Sequence, residues 1–174
     1  MTQFKTFYHI DGTKYVVTKD TCRGCWMNEH PECLPETVKP VWTDGNVIVR
    51  QDVEWPIPGF YIVSIKNHTE SIADIPEDVY KKFTKLLFYT RKGMRDILRI
   101  KKAQIYHEEK QYNSHVHFWL LPIWQDIVDK YGLQPKVYEG NVKTYIDLFK
   151  YEQTKSKIIL CNQKMSEYLN SIEI

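Results

Sequence analysis

What the chain lacks narrows its class before anything it contains. No apolar run approaches the roughly 18 to 20 residues that a membrane-spanning helix needs, and the first eight residues carry no charged-then-apolar leader pattern, so a cytoplasmic location without a membrane partner is expected. Four cysteines in 174 residues are too few for a disulfide scaffold, which fits a reducing compartment. There is neither an internal repeat nor a low-complexity tract. Charge of one sign is missing too. The 24 lysines and arginines stand against 22 acids, leaving a formal net charge of +2 that is scattered and forms no stripe, so nucleic acid is not the expected partner.

What is present is enough apolar residue, 43%, for one core, and the length predicts a single domain over residues 1–174. Pro31, Pro35 and Pro40 mark residues 28–44 as an irregular connection, with the regular core starting after it. Residues 46–52 and 60–66 read as two strands that pair, linked by Trp55-Pro56-Ile57-Pro58-Gly59. Asp74 is the predicted N-cap, with Pro76 in the first turn, of a helix whose apolar positions are Val79, Phe83, Leu87, Met94 and Leu98. Further strands are expected at residues 101–108 and 115–121, the latter stopped by Pro122. Helices follow at 124–131, 140–152 and 156–170, an extension packed on the core. Strands, a helix, then strands predict an α+β fold with an antiparallel sheet and a long helix on its core, not a parallel doubly wound sheet.

The chemistry concentrates in Asn113-Ser114-His115-Val116-His117-Phe118-Trp119-Leu120-Leu121-Pro122. On a strand, period-two alternation sends His115, His117 and Trp119 to one face and Val116, Phe118 and Leu120 to the core. Cys22-x-x-Cys25 can clamp a metal but supplies half of a tetrahedral zinc shell. Three completions stay open: a redox pair with no metal, a local site with His30 and Cys33, or a site with His68 and His115 brought in by adjacent strands. His9 and His30 read as surface histidines, Cys161 as a buried small hydrophobe, and Trp26, Trp42, Trp55 and Trp124 as core or interface residues.

Three segments, residues 46–52, Gly59-Phe60-Tyr61-Ile62-Val63-Ser64-Ile65-Lys66-Asn67-His68 and His115-Val116-His117-Phe118-Trp119-Leu120-Leu121-Pro122, resemble the successive blocks of the histidine triad superfamily. The upstream Cys22-x-x-Cys25 is similar to that of its zinc-bearing branch, and the resemblance spans roughly residues 20–123. It implies a structural Zn²⁺ held by Cys22, Cys25, His68 and His115, and His117 as a nucleophile that forms a nucleotidyl-histidine. It implies a nucleotide or nucleotide conjugate as partner, with Asp52 on ribose hydroxyls, Asn113 and Gln111 near phosphate and Asn46 as a further contact; Trp119 would stack on a base or close the pocket in a chain that only binds the nucleotide. A homodimer through the central helix follows from the same resemblance.

The pattern is broken at two positions. Trp119 replaces the third histidine, and Phe60 replaces the histidine that usually follows the glycine of the second block. Indole has no proton to give at accessible pH, and lost acid catalysis typically costs about 10² to 10⁴ in rate. Three outcomes are predicted: a hydrolase whose leaving group needs little protonation or takes its proton from a spare group such as His107, a transferase of the galactose-1-phosphate uridylyltransferase type, or a zinc-stabilised nucleotide binder.

Overall fold

The computed structural model describes residues 3–112, 114–136 and 140–174. At the N-terminus, β1 (Phe4–Tyr8) and β2 (Lys14–Thr18) form an antiparallel hairpin, its turn held where Asp11 Oδ1 accepts the Thr13 amide at 3.0 Å. Helix α1 (Arg23–Glu29) follows. A five-stranded antiparallel sheet is built from β3 (Pro40–Thr43), β4 (Val47–Gln51), β5 (Tyr61–Ile65), β6 (Lys102–Tyr106) and β7 (His117–Ile123), in the spatial order β3-β4-β5-β7-β6. The long helix α2 (Glu77–Asp96) crosses one face, and α3 (Gln125–Tyr131), α4 (Val142–Ile146) and α5 (Tyr151–Asn170) complete the described chain.

Alternation divides the sheet cleanly. Val47, Val49, Tyr61, Val63, Ile65, Val116 and Leu120 bury one face against Phe83, Leu86 and Met94 of α2. Each such aliphatic or aromatic side chain contributes about 1.5–3 kcal/mol on burial, which is what anchors α2 to the sheet. Ile48, Arg50, Ile62, Ser64, His117 and Trp119 occupy the intervening positions and face the other way, with Ser64 in register opposite His117 and Ile62 opposite Trp119. Helix α5 extends the first core, adding Cys161, Met165 and Leu169. It meets α2 at Gly93, where a Cβ would stand 2.7 Å from Met165 Sδ and from Tyr168 Cδ1, so only glycine permits this approach. A smaller cluster of Ile57, Phe60, Leu121 and Tyr145 joins the Trp-Pro link to α4, and Tyr145 Oη donates to the Pro122 carbonyl at 3.0 Å.

The antiparallel α+β architecture is as expected, while several boundaries differ. Helix α2 is capped by Pro76 and not by Asp74, which ends a short 3₁₀ turn. The residue before a proline is driven out of the helical region, and Ile75 is accordingly extended, so a helix that included Asp74 could not run through Pro76. Leu98 lies past the end of α2 but stays buried. Strand β7 begins at His117 and runs through Pro122, which is tolerated because the pairing with β5 ends at Leu120 and leaves β6 as the neighbour there. The segment 28–44 is not wholly irregular, since Pro40–Thr43 adds an edge strand. The regular structure also starts before it, with the N-terminal hairpin and α1. Of the tail, the helix at 140–152 contracts to α4, and α5 begins at Tyr151. His9, in the turn of the hairpin directly after β1, is buried, 4% exposed, and is not a surface residue. Among the described residues no helix is long and apolar enough to cross a membrane.

Candidate functional site

Cys22 stands at the N-cap of α1 and Cys25 one turn later, a spacing that sets both thiols on one side of the helix. His68 follows β5 and His115 precedes β7, and because these strands are neighbours the two histidines converge on the same end of the sheet. The four ligand atoms lie within 4.8 Å of one another. Nδ1 of His115 is 3.3 Å from Cys22 Sγ and 3.6 Å from Cys25 Sγ, and Nδ1 of His68 is 3.4 Å from Cys25 Sγ. In a tetrahedral zinc shell, with Zn–S about 2.3 Å and Zn–N about 2.0–2.1 Å, sulfur and nitrogen ligands stand roughly 3.5 Å apart, so the donor set fits that ion. The outer ring nitrogens are supported as well. His115 Nε2 donates to the Ile65 carbonyl at 2.7 Å, and His68 Nε2 is 3.4 Å from Glu70 Oε1. Gly24 is part of the site: a Cβ there would come within 3.0 Å of the His115 ring. The local alternative fails: among the described residues the atoms that converge with the Cys22 and Cys25 thiols belong to His68 and His115, not to His30 and Cys33.

The cluster is electrostatically tuned. Burial resists ionisation of Cys22, yet hydrogen bonding to His115 prevails and brings its thiol down to about 6. Burial and the neighbouring Cys22 push Cys25 up to about 12. Burial also opposes a charge on His115, but its bonds to Cys22 and the Ile65 carbonyl outweigh this and raise its pKa.

Beside the cluster, the polar face of the sheet floors a cavity of about 530 Å³ that α1, the Asp52–Trp55 turn and Val142 of α4 wall in. His117 and Trp119 project into it from β7, and Arg50 and Asp52 line it from the β4 side. His117 Nδ1 donates to the His115 carbonyl oxygen, which leaves Nε2 of the neutral ring as a free lone pair. Burial holds the His117 pKa below its ordinary value despite that bond, so the ring is neutral at pH 7. His115 and His117 therefore carry opposite tautomers two residues apart, the first presenting Nδ1 to the thiols and the second presenting Nε2 outward. Trp119 packs edge-on to His117, with ring centroids 4.0 Å apart, and Tyr106 stacks behind it at 5.0 Å.

Asp52 is 3% exposed, and its Oδ1 accepts the Glu54 and Trp55 amides at 2.9 Å. Burial nonetheless pushes its carboxyl up to about 7. The other expected contacts are not gathered here. Asn46 sits at the far end of β4, its amide bound to Asp44, and Gln111 is exposed and not part of the lining. Asn113 lies outside the described residues. His107 is turned away from the cavity, stacked on Phe118 at 4.7 Å with Nδ1 on the His117 carbonyl, so it is not placed to protonate a leaving group. Phe60 is fully buried and stacks on Trp55. Sequence reasoning missed Arg50, Asn28, Tyr106 and Val142; for Arg50 a signal existed, because it sits two residues before Asp52 and so shares its strand face.

No family model matches the chain, and no curated protein matches it. Solved structures do. A hypothetical histidine triad nucleotide-binding protein from Sulfolobus tokodaii superposes with a TM-score of 0.59 at 19% identity, over 86% of this chain and 93% of that one. A zinc-bound histidine triad family protein from Mycobacterium smegmatis gives 0.58 at 16% identity, over 88% and 98%. A Hit-like protein involved in cell-cycle regulation from Bartonella henselae gives 0.55 at 14%, over 82% and 93%. The sheet order, the crossing helix and these superpositions together establish that the chain has the histidine triad fold.

Proposed function

We propose that this protein is a nucleotide-processing enzyme in which His117 is the nucleophile and a zinc ion at Cys22, Cys25, His68 and His115 is structural. One observation carries the reading: the His117 ring, neutral and with Nδ1 committed to the His115 carbonyl, turns Nε2 toward a cavity large enough for a nucleotide and shared with Asp52. The Nε2 lone pair forms a bond to the α-phosphorus while the bond from phosphorus to the leaving oxygen or nitrogen breaks, its electron pair departing with the leaving group. Water then cleaves the P–N bond, returning the imidazole and releasing a mononucleotide. Asp52 takes a ribose hydroxyl, and Trp119 forms the wall beside the reacting phosphorus without giving a proton. The tail supports a role as part of the same unit, since Val142 lines the cavity and α5 shares the core of the sheet. A homodimer across α2 belongs to this reading and is supported by the exposed Tyr80 and Phe88.

Trp119 favours a second outcome for the same intermediate, transfer to a phosphate acceptor, because such an acceptor needs no proton from the third position. The test is intact-protein mass after incubation with nucleotides, dinucleoside polyphosphates and nucleoside phosphoramidates, for wild type and His117→Ala, with products read from the same samples. A nucleotidyl adduct or released mononucleotide that vanishes in His117→Ala is expected. An adduct that persists until an acceptor is added identifies the transferase. Binding with neither label nor turnover across the panel would leave a non-catalytic binder.

A further inference from the structure

Arg50 is 3% exposed on the cavity-facing side of β4, opposite Ile62 in register and, through Ile62, in line with Trp119. Its Nη2 donates to Asn28 Oδ1 at 2.5 Å, but Nη1, equally buried, has no acceptor among the described residues. The acid nearest in sequence does not serve it: Asp52 Oδ1 accepts the Glu54 and Trp55 amides, and neither of its oxygens bonds Nη1. Nor does His9, which burial, Arg23 and Arg50 keep neutral with a pKa near 4 and whose ring nitrogens are themselves unbonded. A buried guanidinium with an unmatched donor is costly, and such a group is retained where a ligand completes it.

The surroundings define that ligand. Met27, Val53, Trp55 and Ile62 give the cavity apolar and aromatic walls, which suit a flat heterocycle. Asp52 and Glu54 line the same space with Arg23 and Lys110, and Glu54 is paired with Arg23, so the lining is of mixed sign and the acceptor that completes Nη1 can be a neutral edge. Arginine offers donors only, in a planar fork. O6 and N7 of guanine match that fork, while adenine sets its N6 amino donor against it and uracil lacks the paired acceptors. Arg50 is two strand spacings from β7, about 10 Å, so it addresses the part of the ligand remote from His117.

We propose that Arg50 reads the base in this cavity and that the nucleotide it selects carries guanine. This rests on the nucleotide reading of the His117 site. The experiment is equilibrium binding of GMP, AMP and UMP to the metal-replete full chain, for wild type and Arg50→Met, with the His117 adduct assay run in parallel. In wild type GMP binds tighter than AMP and UMP by about tenfold or more, and in Arg50→Met that preference disappears while AMP affinity holds. AMP or UMP binding as tightly as GMP to wild type, or a GMP preference that survives Arg50→Met, overturns the proposal. If the variant does not fold, the wild-type ranking decides alone. Equal binding of all three with an intact adduct removes the guanine assignment only, whereas no binding and no adduct removes the nucleotide reading beneath it.

Discussion

The two faces of the five-stranded sheet use one backbone for opposite ends. On the face toward α2, β4 and β5 present Val47, Val49, Tyr61, Val63 and Ile65, each at most 3% exposed and all apolar but for one phenol. On the other, positions just as buried hold Arg50 and Asp52, and the strand beside β5 holds His117. The first face lowers the free energy of folding through area removed from water. The second gives up some of that gain to keep charge and lone pairs out of solvent, where they act more strongly on a ligand. What the difference teaches is that burial alone does not separate core from site in this molecule; the chemistry of what is buried does.

That contrast can be broken at its one exception, the metal cluster, where polar groups on the site side should stabilise the fold. Chelation, or Cys22→Ser, is expected to have the largest effect: zinc content falls from one per chain to none, and stability drops by about 4 kcal/mol relative to protein held at free zinc a thousandfold above its Kd. Metal counting and denaturant midpoints on the same samples check it; an unchanged zinc stoichiometry in His68→Ala would remove His68 from the shell. On the core face, Leu86→Ala should cost about 3 kcal/mol, within the usual cavity-forming range, and leave zinc content and nucleotide affinity alone. A loss of affinity comparable to the loss of stability would show that the faces are not separable.

Asp52 sharpens the comparison through pH. Its carboxyl is raised from 3.8 to about 7, so between those values the folded chain keeps a proton that the unfolded chain has released. The stabilisation from this group is complete below about pH 4 and lost as pH rises through 7, with a slope of at most about 1.4 kcal/mol per pH unit. Asp52→Asn should match wild type near pH 4 and gain on it toward pH 7 in denaturant titrations; parallel curves would mean that Asp52 is not the source. The smallest effect is expected at Gly93→Ala. Helix propensity favours alanine by about 1 kcal/mol, but a Cβ 2.7 Å from Met165 Sδ and Tyr168 Cδ1 should outweigh it and leave a net loss of about 1 kcal/mol. A more stable variant in thermal melts would mean that α5 yields easily.

The same division governs what could be read from the amino-acid sequence. β4, β5, α2 and β7 were legible because their apolar residues repeat at two or near 3.6 and one side of each meets a large core. The N-terminal hairpin was not, because FKTFY and KYVVT alternate between exposed and half-buried positions without a strong apolar side. The metal residues could be found only in halves, since Cys22 and His115 lie far apart in the chain and meet through the β5–β7 pairing. Asp52 lines the cavity while Asn46 does not, although the two flank one short strand; a turn residue at either end of a strand looks alike until the partner elements are known. Arg50 reads locally as a solvated charge unless its place two residues before Asp52 is weighed, and in the fold Asn28 of α1 holds it on the cavity side.

The hydrogen bond from His117 to the carbonyl of His115 has a mechanical consequence. A peptide group is rigid, and bonds from imidazole to a metal are far stiffer than packing contacts, so an ion held by His115 would set the positional tolerance of the His117 ring without touching any substrate. An ion of different radius or preferred geometry would displace the His117 ring by a fraction of an ångström and would detune the proposed reaction in a chain that stays folded.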